Sequence, residues 1–182
     1  YSTLNFYYAL AVAIACRILR LPYICILHGG NLENRLKNSP LLAKMMFKKA
    51  SKLVAPSLFL KSVFQKYGYH KVHYLPNTLE MVNYPFKKRE QPGPKLLWVR
   101  SFSRIYNPKL AVDVVCELKN TFTEVSLCMV GPEKDGALAD TKRYAKQKGV
   151  VVTFTGKLSK TEWIRLAEAY DIFINTTNVD NM

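Results

Sequence analysis

From residue 23 onward the chain alternates between two textures. Short runs rich in Val, Ile, Leu and Phe stop abruptly at a Gly, Asn, His or Arg, and each is followed by a longer stretch whose apolar residues recur at helical spacing. This alternation excludes an all-helical bundle and an antiparallel sandwich. Parallel strands need a crossover of about a dozen residues or more, and a helix laid on the sheet is the compact way to make one.

The runs at residues 23–27, 53–55 and 72–75 read as strands, the first of them buried. Helical spacing covers residues 4–19, then 39–49, where Ser39 precedes Pro40 as a cap, then 57–68, where Ser57 caps and Gly68 stops the helix. After the Pro/Gly-rich QPGP at residues 91–94 the alternation restarts. Strands are expected at 96–99, 125–130, 150–155 and 172–174. Between them lie a helix opened by Asn107-Pro108, with Leu110, Ala111, Val114, Val115 and Leu118 on one face, and a helix at 138–148 ended by Gly149. A third starts at the capping box Ser159-x-x-Glu162 and carries Trp163, Leu166, Ala167 and Tyr170. Right-handed crossovers then imply an α/β protein of two Rossmann-like lobes, residues 1–91 and 92–182, both incomplete at the chain ends.

In such a fold the carboxyl ends of the strands line the ligand crevice. The stretch Ile26-Leu27-His28-Gly29-Gly30-Asn31-Leu32 is one such end, and Ser57, Asn77, Arg100, Gly131, Gly156, Thr176 and Thr177 stand at the others. Glycine loops, helix N-termini and arginines suit a ligand that carries phosphates, because unpaired N–H groups and the helix dipole favour anions. Neither G-x-G-x-x-G nor G-x-x-x-x-G-K-[ST] occurs, so a dinucleotide fingerprint and a P-loop are both unsupported.

Charge is distributed unevenly. Residues 1–91 hold 14 Lys and Arg against 3 acids, and the rest 13 against 10. Anionic lipid, nucleic acid or phosphorylated substrates could each answer such a field. Nucleic acid is disfavoured, since basic and aromatic residues do not interleave and no helix-turn-helix pattern is present, whereas Lys44, Lys48, Lys49 and Lys52 flank an otherwise apolar helix. The four cysteines stand singly, without metal-ligand spacing, which argues against zinc and against a disulfide framework. The longest apolar run, residues 6–16, is closed by Arg17 and falls well short of the roughly 20 residues of a membrane span. A reduced, cytoplasmic setting is expected, with a peripheral membrane face on the basic half. With Tyr1 inside a helical pattern, the chain is expected to be an internal piece.

The ordered segments HGGN, KLVAPSLFLKSVFQKYG, VHYLPN, LLWVRSFSRIYNPKLAV, LCMVGPEKDG and VTFTGKLSKTEWIRLAEAYDIFINTTNVDN together resemble the retaining GT-B enzymes known as group 1 glycosyl transferases, over essentially the whole chain. The resemblance implies an enzyme that moves a sugar, with retention, from a nucleotide-sugar to a glycan or lipid-linked acceptor, as in cell-surface polysaccharide synthesis. Donor binding falls to the second lobe and acceptor binding to the first. No metal or other cofactor is expected, since the leaving diphosphate in this family is stabilised by Arg, Lys and helix N-termini.

By position, the resemblance makes His28 a catalytic residue beside the transferred sugar, with Gly29, Gly30 and Asn31 at the same turn, and places Asn77 near the junction of the lobes. It puts Gly131, Pro132, Gly156, Lys157 and Leu158 around the nucleoside, and Thr176 and Thr177 in a sugar- or phosphate-binding loop. Asp180 stands where the family's closing pair of acids begins. Where the family has Gly-Arg and then Lys after the first strand of the second lobe, this chain has Arg100, Ser101 and Tyr106. The diphosphate charges would therefore come from Arg100 and Arg104. Taken alone, the piece is expected to be inactive. A basic, non-enzymatic α/β protein that binds membrane or nucleic acid is the alternative reading of the same charge.

Overall fold

The computed structural model describes residues 5–29 and 31–178 of the 182-residue chain. Two compact units divide between Leu79 and Glu80. In the first, α1 (Asn5–Ile18) leads into β1 (Ile24–Ile26), two short helices α2 (Leu32–Asn38) and α3 (Pro40–Phe47), β2 (Lys52–Ala55), α4 (Leu58–Lys66) and β3 (Val72–Tyr74). The strands are parallel in the order β1-β2-β3, with Cys25, Leu53 and Val72 in register. All three side chains are buried, in one cluster with Phe6 and Leu10 of α1, Met46 and Phe47 of α3, and Leu60 and Phe64 of α4. The Phe47 and Phe64 rings meet edge to face at 5.0 Å between centroids, a geometry that adds to the burial itself.

β1 is less buried than its composition suggests. Only Cys25 is enclosed, while Ile24 and Ile26 on the opposite face are 60% and 48% exposed. Burial pushes the Cys25 thiol up to about 11, so it behaves as a small apolar side chain. Helix α3 starts at Pro40 as expected, yet Ser39 makes no side-chain cap. Its backbone N–H instead closes α2 by bonding to the Arg35 carbonyl at 3.0 Å. Ser57 does cap α4, accepting the Leu60 N–H at 3.2 Å.

In the second unit, β4 (Lys95–Val99), α5 (Pro108–Leu118), β5 (Ser126–Val130), α6 (Ala137–Gln147), β6 (Val152–Gly156), α7 (Lys160–Ala167) and β7 (Ile172–Phe173) build a four-stranded parallel sheet in the order β6-β5-β4-β7. Leu96, Trp98, Leu127 and Met129 share a cluster with Ala111, Val112 and Val115 of α5 and Ala145 of α6. Leu97, Cys128 and Val130 pack instead with Trp163, Leu166 and Ala167 of α7 and with Tyr170. Both faces are thus covered, as a parallel sheet requires. The buried stripe of α5 is Pro108, Ala111, Val112 and Val115. Leu110 is turned outward and 42% exposed, which corrects the face expected from the sequence.

The QPGP segment does not mark the division between the units. Residues 80–91 already belong to the second, because Arg89 pairs with Asp171 at 2.7 Å. The same guanidinium donates to the Tyr170 carbonyl, and Tyr84 packs on Trp163. Asp171 also accepts the Gly93 N–H at 3.1 Å, so one half-buried carboxylate anchors the connecting segment twice. No helix among the described residues is long and apolar enough to cross a membrane.

Candidate active site

The strand order of the second unit locates its crevice. From β4 the chain steps to β5 and β6 on one side and then returns to add β7 on the other. Helix α5, which follows β4, packs on one face of the sheet and α7, which leads into β7, on the other, so the strand order reverses between β4 and β7, the usual ligand position in a doubly wound sheet. Residues 100–107 and 174–178 border it.

These loops are fastened to one another. The Arg100 N–H donates to the Val130 carbonyl at 3.0 Å, Phe102 N–H to Pro132 O at 2.8 Å, Gly131 N–H to Gly156 O at 2.8 Å, and Asn178 N–H to Ile105 O at 2.9 Å. Gly131 has φ +152°, and a Cβ built there would stand 1.7 Å from the Arg100 carbonyl oxygen. The two backbones approach so closely that only glycine fits. Arg100, Ser101, Gly131, Pro132 and Gly156, all expected in the site from the sequence, are therefore gathered along one edge.

Thr176 has a structural duty between these loops. Its hydroxyl donates to the Tyr106 carbonyl at 2.7 Å and accepts the buried Trp98 indole N–H at 2.9 Å. Thr177 Oγ1 donates to Asn175 Oδ1 at 2.5 Å. Both threonines serve to shape the loop. Arg100 lies over the Tyr106 ring, 5.2 Å from its centroid, a contact that orients the guanidinium. Lys157 is exposed and Leu158 half-buried, packed on the Leu97 cluster.

Arg104 is positioned by a residue the sequence did not single out. Asp135 accepts the Arg104 backbone N–H at 3.1 Å and the Ser103 hydroxyl at 2.7 Å. The Ser103 bond first, and then the backbone N–H and the nearby guanidinium, hold its carboxyl below the usual range. Arg104 also lines a cavity of about 170 Å³ with Asn107, Pro108, Lys109 and Asp140. Glu133 accepts the N–H groups of Lys134, Asp135, Gly136 and Leu138 at 2.6–2.9 Å. Although desolvation pushes its carboxyl up, those four donors prevail and hold it low. The acid-rich GPEKDG loop just before a helix was the available signal for both carboxylates.

In the first unit, His28 follows β1 at the sheet's carboxyl edge and is exposed. The preceding Leu27 N–H is tied to Val54 O at 2.8 Å. Gly29 has φ +123°, and its carbonyl accepts the Leu32 N–H at 3.1 Å. Asn31 precedes α2 and accepts from Asn34 Nδ2 at 2.5 Å. Asn77 lies past β3, exposed, at the same edge. Gly30 and Asp180 lie outside the described residues. Among the described residues no group of three or more His, Cys, Asp or Glu side chains could hold a metal ion.

No protein family and no curated protein matches the sequence. Solved structures do match. Anabaena HepE in complex with UDP is similar at a TM-score of 0.79 and 17% identity, over 96% of this chain and 52% of HepE. S. aureus TarM, solved with α-GlcNAc-glycerol and UDP, is similar at 0.67 and 9%, over 89% of this chain and 33% of TarM. The N-terminal domain of Candida albicans trehalose-6-phosphate phosphatase is similar at 0.66 and 14%, over 97% and 50%. The chain spans about half the length of HepE. Two parallel α/β units, the second wound in the order β6-β5-β4-β7, together with these likenesses, give the chain the GT-B fold.

Proposed function

We propose that the chain is part of a retaining glycosyltransferase that moves a sugar from a nucleotide-sugar to a glycan or lipid-linked acceptor, at the cytoplasmic side of cell-surface polysaccharide synthesis. The observation that supports this reading is the reversal of strand order between β4 and β7, with Arg100, Ser101 and Arg104 in the loop that follows β4, in the same fold as UDP-bound HepE. Breaking the anomeric bond develops charge on a departing diphosphate. Cations already fixed in place stabilise that charge most in the transition state. Arg100, held over Tyr106, and Arg104, held through its backbone by Asp135, supply two. His28 and Asn77 at the edge of the first unit's sheet are the acceptor-side residues, with His28 beside the transferred sugar.

Fold alone does not set chemistry. A thermal-shift panel of UDP, GDP, ADP and TDP tests the donor site, with UDP expected to raise the unfolding temperature of the second unit. Arg100→Ala is expected to weaken that binding about tenfold to a hundredfold, the range for a lost charge-assisted hydrogen bond. No shift with any of the four nucleotides counts against a donor site. Retention is checked by the anomeric configuration of the first-formed product, read by NMR, and an inverted product contradicts it.

A further inference from the structure

We propose that the first unit docks on anionic phospholipid membranes through the outward face of α3 and the adjoining end of α1, a property separate from sugar transfer. Helix α3 turns Ala43, Met46 and Phe47 into the core. Its other side leaves Leu41 76% and Met45 42% exposed. Those two, with Lys44, Lys48 and Lys49 and with Arg17 from α1, line an open groove of about 520 Å³.

A solvated helix face carries charges of both signs and few large apolar groups. The groove formed by α3, the turn after it and the end of α1 carries four cations, two bare apolar side chains and no carboxylate. Nor is a neutralising acid at hand. Residues 1–79 contain eleven Lys and Arg and a single acid, Glu33, which is paired with Lys66 at 3.0 Å. Apolar side chains flanked by lysines are the pattern of a segment lying in the headgroup region, with Leu41 and Met45 entering the acyl boundary while the lysine stems extend their ammonium groups to lipid phosphates. Single-stranded RNA would also meet the cations, but among the described residues no aromatic ring lines this groove; Tyr67 and Tyr69, which line the neighbouring cavity with Lys44 and Lys48, are partly buried against the core.

The test is co-sedimentation of the chain with vesicles of phosphatidylcholine alone and of phosphatidylcholine mixed with phosphatidylglycerol, in rising NaCl. Binding is expected only to the anionic vesicles and falls as salt shortens the reach of surface charge. The triple variant Lys44→Gln/Lys48→Gln/Lys49→Gln is expected to bind on the order of a hundredfold more weakly, since each cation near the surface contributes about fivefold. A charge-matched control, Lys37→Gln/Lys61→Gln/Lys71→Gln, alters no groove residue and is expected to lose far less. Leu41→Ser/Met45→Ser is expected to abolish the binding that persists at high salt. Circular dichroism confirms that each variant is folded. Equal losses from the two triple variants, equal binding to neutral vesicles, or displacement from anionic vesicles by oligouridylate at lower concentration than by soluble phosphatidylglycerol headgroup analogues would each overturn the proposal.

Discussion

Replacing Gly131 by alanine tests how tightly the loops around the candidate donor site are set. The new Cβ would lie 1.7 Å from the Arg100 carbonyl oxygen and 2.6 Å from its carbon, where ordinary contact begins near 3.4 Å. Relief requires β4 and β5 to part at their carboxyl ends. That movement strains the Arg100 N–H bond to Val130 and the Gly131 N–H bond to Gly156. Two such bonds, at about 1 kcal/mol net each, and about 1–3 kcal/mol for an unfavourable backbone conformation give a destabilisation of about 3–5 kcal/mol. Gly149→Ala is the control, because Gly149 also has positive φ, +65°, but nothing lies within 4 Å of its added Cβ. It is expected to cost about 1–2 kcal/mol. The assay is unusually clean, since both tryptophans of the chain, Trp98 and Trp163, belong to the second unit. Their fluorescence during urea or thermal unfolding reports that unit alone, and Gly131→Ala is expected to lower its midpoint by more than about 12 °C. Equal midpoints for the two variants would refute the close approach of Gly131 to Arg100.

Three further outcomes follow from the geometry. Thr176→Val strands the buried Trp98 N–H and is expected to destabilise the second unit by about 2–4 kcal/mol, while Thr176→Ser, which keeps the hydroxyl, recovers most of it; equal loss from both in urea titrations would mean the methyl group matters more. Asp171 is held below the usual carboxylate range, by the Arg89 bond first and then by the Gly93 N–H. Its contribution is therefore complete above the ordinary Asp value near 3.9 and is lost as pH falls through the lower folded value. The difference in unfolding temperature between the chain and its Asp171→Asn variant is expected to be flat above about pH 4 and to close below it; a difference that closes at neutral pH would point to another group. Finally, nucleoside diphosphate binding is expected to survive EDTA, measured by the same thermal shift, and restoration by added divalent cation would reveal a metal requirement.

Much of the scaffold can be read from local signals. The Ser159/Glu162 capping box and the Ser57 cap form as their spacing predicts, because both motifs are satisfied within a few residues of chain. Helix α2 was not foreseen. Its seven residues are too few to display a helical period, and it joins α3 directly through Ser39. Leu110 was misassigned because an apolar residue next to the buried stripe of an amphipathic helix looks the same in sequence whether it faces in or out. The site followed the same division. Strand ends, and hence His28, Arg100, Gly131 and Gly156, are visible as breaks in apolar runs. The duties of Asp135, Glu133 and Thr176 are not, since each depends on partners from another loop or strand that only the folded sheet brings close.

Glu133 gives the crevice a direction. An α/β loop that leaves its helix N-terminus bare would attract a guest anion at every such end with similar strength. Here the start of α6 already holds a carboxylate of its own, and at α7 Glu162 accepts the Ser159 N–H in a capping box. The first turn of α5 carries no acid. An anion near this edge therefore meets a carboxylate already seated at two helix starts, and at the third a cavity lined by Arg104 and Lys109 together with Asp140. The helix starts along this edge are thus electrostatically unequal, two of them already neutralised from within the chain.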